Sequence, residues 1–185
     1  MSKLYPLLLL LSTLASCTPQ DTTQTIKVEG RYSIDLPSSF TKTAGLNNDA
    51  SLQYQDISKE LYIIVIDEPK SVMEEILTAH DLESDYTQDL EGYSQLIIDG
   101  MDPSITIDSI SDFREGKINN LRSRELFMQG VTGGYRIYWK FAFVEGKNRY
   151  YQIMVWTLAD NKAEHEGTLQ NIISSFHEMD RSKKR

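Results

Sequence analysis

From residue 26 onward the apolar positions fall on every second residue. Ile26 and Val28 form one run, and Tyr32, Ile34 and Leu36 a second, which is the period of a strand with one face buried. Gly30 between them marks a turn or bulge. Pro37 has no amide hydrogen to give to a ladder and closes the second run, with Ser38-Ser39 behind it. Phe40 is expected to fold back onto the core. After a polar loop around residues 45–49, Leu52 and Tyr54 mark a further strand, and Tyr62-Ile63-Ile64-Val65-Ile66 is apolar without a break. A continuous β-branched run suits a central strand covered on both faces, so helices are expected on both sides of the sheet.

The period then changes. Ser71-Val72-Met73-Glu74 reads as a capping box behind Pro69, with Val72, Met73, Ile76 and Leu77 on one helical face. A second stripe, Leu82, Tyr86, Leu90, Tyr93 and Ile97, keeps helical spacing as far as Gly100, a C-cap, so the segment is one bent helix or two. Alternation resumes with Ile105 and Ile107, and strands are expected through Lys117–Met128 around Leu121, Leu126 and Phe127. Gly133-Gly134 is a hairpin turn into Tyr135, Ile137, Trp139, Phe141 and Phe143, all on one face. Residues 145–148 turn into a partner strand with Tyr151, Ile153 and Val155 on one face and Tyr150, Met154 and Trp156 on the other. Asp160 is expected to cap a last helix whose stripe is Leu169, Ile172, Ile173 and Phe176.

Everything before residue 26 has a different character. Lys3 precedes an apolar run from Leu7 to Leu11, and the small residues Ala15 and Ser16 lead to Cys17, the one cysteine of the chain. The run is short of the roughly 20 apolar residues that a permanent transmembrane helix needs. It reads as a secretory signal, residues 1–16, removed before a cysteine that takes a thioether-linked diacylglycerol. Each buried methylene adds about 0.8 kcal/mol, so several acyl chains moor a protein to a membrane almost permanently. Thr18–Thr25 carries no apolar residue and, with the lipidated Cys17, forms a tether over residues 17–25. Thr18 stands where an aspartate would retain an enterobacterial lipoprotein in the inner membrane, which points to the outer membrane. The remaining organisation is a single domain over residues 26–178 and a basic tail over residues 179–185.

Net charge narrows the partners. At −8, and more acidic once Lys3 is lost, the chain lacks the cationic footprint that nucleic acid requires, and the anchor rather than the body must hold the membrane. With Cys17 committed to lipid, no thiol remains for a disulfide, a metal site or a nucleophile. No cofactor is expected.

Tyr32-Ser33-Ile34-Asp35-Leu36-Pro37-Ser38-Ser39-Phe40 resembles the opening strand of the PsbP-like fold, and Ile172-Ile173-Ser174-Ser175-Phe176 resembles its closing helix. The order of elements is similar as well. That resemblance implies an α+β fold, a largely antiparallel sheet flanked by helices in an α/β/α sandwich. It also implies a non-catalytic binding or assembly factor, as in the bacterial envelope lipoproteins that share the fold. It brings no catalytic residue with it.

His165-Glu166 opens like a zinc-protease helix, but the second histidine one turn later is replaced by Leu169, so an exposed helix start is expected and no metal. His80, Asp81 and Asp85 would face one another on a continuous helix and offer oxygen ligands to a hard cation, or form a solvated acidic face. His177 is placed at a helix end, beside the carbonyl dipole. Ser38 and Ser39 lack a nucleophile elbow and read as turn residues. Gly130, Gly133 and Gly134 read as turn glycines. The aromatic set Tyr135, Tyr138, Trp139, Tyr150, Tyr151 and Trp156 is either core or the lining of a binding groove. Three functions follow: a non-enzymatic module that binds another envelope protein, a small-ligand carrier with its pocket between the aromatic sheet face and the helices of residues 71–100, and a hydrolase with an unrecognised site.

Overall fold

The alternating runs pair into two antiparallel sheets in the computed structural model, which describes residues 22–179. The smaller sheet has the order β1-β2-β11, with β1 Thr23–Val28, β2 Tyr32–Pro37 and β11 His177–Glu178. The larger contains β3 Thr41–Lys42, β4 Leu52–Asp56, β5 Leu61–Pro69, β6 Thr106–Ile110, β7 Arg114–Ile118, β8 Leu121–Thr132, β9 Tyr135–Glu145 and β10 Arg149–Leu158. Its order is β3-β4-β5-β10-β9-β8-β6, and β7 also pairs with β8. Three helices complete the chain: α1 Lys70–Ala79, α2 Leu90–Asp99 and α3 Lys162–Ser174.

The period of two decides which core each residue enters. Ile63, Val65, Tyr151, Ile153 and Val155 point to the side of α3, where they meet Tyr32, Ile34 and Leu36 of the small sheet and Leu169, Ile172, Ile173 and Phe176. Ile64 is buried on the opposite side. There Leu126, Met128, Trp139, Phe141, Phe143 and Tyr150 pack against Met73 and Leu77 of α1 and Leu90 and Tyr93 of α2. The unbroken apolar run thus lies in a central strand with both faces covered, and Phe40 is buried in the α3-side core. Gly133 and Gly134 both take positive φ, 57° and 83°, in the two-residue turn between β8 and β9.

Several expectations are corrected. β1 begins at Thr23, three residues before the apolar alternation, because its polar side chains bond across the hairpin: Thr25 Oγ1 donates to Asp35 Oδ1 at 2.5 Å and Gln24 Nε2 to the Phe40 carbonyl at 2.7 Å. Ser71 does not cap α1. The helix starts at Lys70, where β5 ends, and Pro69 holds the N-cap position without a side-chain bond. The helical middle is two helices. Asp81 has φ +56°, which breaks the first, and the Asp89 carboxylate accepts from Gly92 N at 3.0 Å to start the second. Leu82 and Tyr86 still pack on the core from the connection. Asp160 lies in a 3-10 turn, Ala159–Asn161, ahead of α3 and is not its cap. The stretch expected as strand from Lys117 is divided by a tight turn at Asn119-Asn120, both at positive φ. Gly130 is not a turn residue: it sits mid-strand in β8, where a Cβ would lie 2.5 Å from the Thr106 carbonyl oxygen of β6.

Candidate functional site

The aromatic set divides between core and surface. Tyr138 and Tyr151 are buried in the core on the α3 side, and Trp139 and Tyr150 in the core on the α1/α2 side. Trp156 is half-buried and stacks on Tyr62 at 5.3 Å between ring centroids. Tyr135 alone of the six is exposed, at 65%. The ligand-carrier reading meets the same fact: Met73, Leu77, Leu90 and Tyr93 occupy the space between helices and sheet, with Tyr93 stacked on Tyr150 at 4.6 Å.

Strand register gathers exposed apolar side chains at one edge instead. Ile107 pairs with Gly130, and Ile110 with Met128, which places both isoleucines on the α1/α2 face of β6. Strict alternation would put residues three apart on opposite faces; a bulge between Ile107 and Ser109 inserts the extra residue that aligns them. Phe127 of the neighbouring β8 points to the other face, where it lies 6.2 Å from the ring of Tyr138 with Lys162 Nζ 5.2 Å above it. Tyr135 follows across the Gly133-Gly134 turn. Ile107 is 45% exposed, Ile110 44% and Phe127 39%. All of β6 is exposed, so its outer side also offers strand-edge amides and carbonyls.

The titratable groups are arranged mainly as internal ties. The Asp67 carboxylate, 1% exposed, lies 2.7 Å from Arg31 Nη1 and 2.8 Å from Arg149 Nη1. Arg124 is buried, with its guanidinium 4.0 Å above the Phe113 ring, and it donates to Glu115 and to Ser94 Oγ. Asp56 would be pushed up by burial, but hydrogen bonds from Ser58 and Ser39 outweigh this and hold it below the ordinary aspartate value. Burial raises the phenols of Tyr32, Tyr93, Tyr138 and Tyr151 well above the ordinary tyrosine value and that of Tyr150 to about 12. The Glu68, Glu166 and Glu178 carboxylates beside Tyr93, Tyr138 and Tyr151 add to the shift. A neutral phenol favoured only by the fold stabilises it fully below the unfolded value near pH 10. That contribution is lost as pH rises from there through the folded values. Stability is therefore expected to fall steeply above pH 10, with tyrosinate absorbance appearing together with loss of structure rather than before it. Normal titration of these five tyrosines in folded protein would contradict this burial.

The candidate histidines are separated by the fold. His80, Asp81 and Asp85 lie in and after the turn that ends α1 and are exposed, and no group of three or more His, Cys, Asp or Glu side chains among the described residues is placed to hold a metal. His177 is in β11, opposite Ser33, rather than at a helix end. Ser38 donates its hydroxyl to the Thr22 carbonyl at 2.8 Å, as a turn residue does. His165 departs most from expectation. It is 6% exposed and lines a cavity of about 140 Å³ with Pro37, Ser39, Lys59, Leu61, Glu164 and Thr168. Its Nε2 stands 4.0 Å from the Glu164 carboxylate, beyond hydrogen-bond length. A larger groove of about 340 Å³ adjoins it, sharing Pro37 and Thr168. Periodicity gave no hint of this site, because its walls come from β2, the β4–β5 corner and α3. Cys17, Arg181, Lys183, Lys184 and Arg185 lie outside the described residues.

No protein-family model matches the chain, and no curated protein matches it. Solved structures do. The solution structure of cyanobacterial PsbP (CyanoP) from Synechocystis sp. PCC 6803 is similar over 91% of this chain and 98% of its own, with a TM-score of 0.50 and 11% identity. A crystal structure from Bacteroides thetaiotaomicron matches over 84% of this chain at TM-score 0.50 and 9% identity. The match spans 48%, about half, of that protein's length. LpqN of Mycobacterium tuberculosis, described as involved in cell envelope biogenesis, matches over 86% of this chain and 91% of its own, at TM-score 0.47 and 9% identity. The antiparallel sheet between α3 on one side and α1 and α2 on the other, closing with a helix that leads into β11, is a PsbP-like α+β fold.

Proposed function

We propose that this protein is a non-enzymatic lipoprotein of the bacterial outer membrane, anchored through Cys17, that binds another protein of the envelope. The observation that carries the binding role is the apolar edge of Ile107, Ile110, Phe127 and Tyr135 beside the exposed strand β6. Exposed apolar side chains grouped at a strand edge are an aggregation hazard that a monomeric domain normally avoids, and they suit a surface covered by a partner. The anchor restricts that partner to molecules at the same membrane surface. Among the described residues no helix is long and apolar enough to cross a membrane, so the proposed attachment rests on Cys17.

Two measurements test this. Mass spectrometry of the native amino terminus is expected to find a diacylated Cys17, and an unmodified cysteine would remove the anchor. A photo-crosslinking residue at position 110 in cells should yield a discrete adduct with one envelope protein. The same residue at position 57, where Ile57 is 66% exposed on the far side of the sheet order, should not. Equal labelling from both positions would refute the edge. Replacing Ile107 and Ile110 by Thr should abolish the adduct, with circular dichroism checking that the variant stays folded, since each side chain is more than half covered and its loss costs some stability.

A further inference from the structure

The cavity beside the start of α3 has no part in that docking edge. Its walls hold donors from two parts of the chain, the Lys59 ammonium at the β4–β5 corner and the His165 imidazole and Thr168 hydroxyl on α3, while the Ser39 hydroxyl beside them already donates to Asp56. His165 is the decisive group. Its side chain is 7% exposed, and the Glu164 carboxylate lies 4.0 Å from its Nε2, beyond hydrogen-bond length. An imidazole carries an N–H donor in either protonation state, so His165 can donate to a molecule in the cavity it lines. Lys59 faces the Asp56 carboxylate, and an ammonium has three donors to distribute. The first turn of α3 also brings the positive end of a 13-residue helix to the cavity wall.

We propose that this cavity binds the phosphate group of a phosphate ester or of inorganic phosphate. A phosphate holds its oxygens in a tetrahedron and can accept from Lys59, His165 and Thr168 on separate walls, whereas a carboxylate's acceptor sites lie in one plane. Glu164 is the one anionic wall. Its side chain is 77% exposed, which places it at the rim, where it weakens anion binding without filling the site.

The position of the cavity relative to the anchor indicates a lipid headgroup as one source of that phosphate, a step that rests on the proposed acylation of Cys17. Ser38 N bonds to the Thr22 carbonyl at 2.8 Å, so the chain enters the domain one residue from Ser39. Cys17 lies five residues before Thr22, a reach of at most about 18 Å at roughly 3.6 Å per residue. A wall of the cavity therefore lies close to the point where the tether meets the domain.

The full chain carrying Cys17→Ser separates these sources, since it cannot be acylated. Isothermal titration with inorganic phosphate reads the cavity itself, and flotation with phosphatidylcholine vesicles, which carry phosphate without net charge, reads headgroup binding. Saturable binding in either arm is expected to weaken about tenfold or more with Lys59→Ala and with His165→Gln, as for the loss of a hydrogen bond to a charged group, and to strengthen with Glu164→Gln. Circular dichroism checks that His165→Gln remains folded, and Lys59→Ala carries the test if it does not. Binding of free phosphate alone assigns the site to a soluble ester, and binding in the vesicle arm assigns it to lipid. No binding in either arm, or binding indifferent to Lys59→Ala, overturns the proposal. An unmodified native Cys17 together with phosphate binding would remove the anchor and leave the cavity standing.

Discussion

Phe176→Ala should destabilise the protein by about 3–5 kcal/mol, the usual cost of emptying a large aromatic site in a closed core. Phe176 is 0% exposed, and its ring lies 5.3 Å from that of Tyr32 and 4.8 Å from that of Tyr151. One side chain thus joins α3, the small sheet and the large sheet. Its backbone is held too: the Phe176 carbonyl accepts from Asn119 Nδ2 at 2.6 Å, which ties the β7–β8 turn to the end of the helix. The rings of Tyr32 and Tyr151 cannot collapse into the void without giving up their own bonds, Tyr32 to Ser51 at 2.7 Å and Tyr151 to Glu178 at 3.0 Å. Relaxation is therefore limited, and the cost belongs near the upper end of the range. Urea denaturation should show a lower midpoint at unchanged slope, and Phe176→Leu should recover much of the loss. A loss under about 1 kcal/mol for the alanine variant would mean that the three elements do not meet there.

Asp67→Ala should be of comparable size for a different reason. The carboxylate is 1% exposed and accepts from two guanidinium groups, of Arg31 and Arg149, whose side chains are 20% and 33% exposed. Removing one member of a buried ion pair leaves its partners desolvated without compensation, typically at about 3–5 kcal/mol. Partial access of water to Arg149 lowers that figure, so about 3 kcal/mol is expected. The test is a double-mutant cycle by chemical denaturation with Arg31→Met. Once Asp67 is gone, removing Arg31 should cost little more, because the charge left without a partner is what destabilises. Additive losses would show that Asp67 is not tied to Arg31.

Much of the architecture was legible in the sequence because it rests on local periodicity. The period of two in Tyr135–Phe143 and in Tyr150–Trp156 named their faces correctly, since a strand allows its side chains only two directions. The stripe Leu169, Ile172, Ile173, Phe176 was equally plain, and Gly133-Gly134 marked a turn that only residues free to take positive φ make easily. Helix boundaries were less legible. Ser71 and Asp160 have cap chemistry, yet the chain geometry where β5 ends and where the 3-10 turn precedes α3 set those starts one or two residues away.

Strand faces, the closing helix, the covered central strand and the resemblance in element order could all be read from the chain, because each depends on residues close together in it. The candidate surfaces depend on residues that are not. Asp67 meets arginines 36 and 82 residues away, Ile107 and Ile110 come to one face only through a bulge, and His165 enters a cavity built from three separate segments. Burial of an aromatic or a histidine is decided by what packs on the far side of it. That neighbour is chosen by tertiary structure, and no spacing along the chain records it.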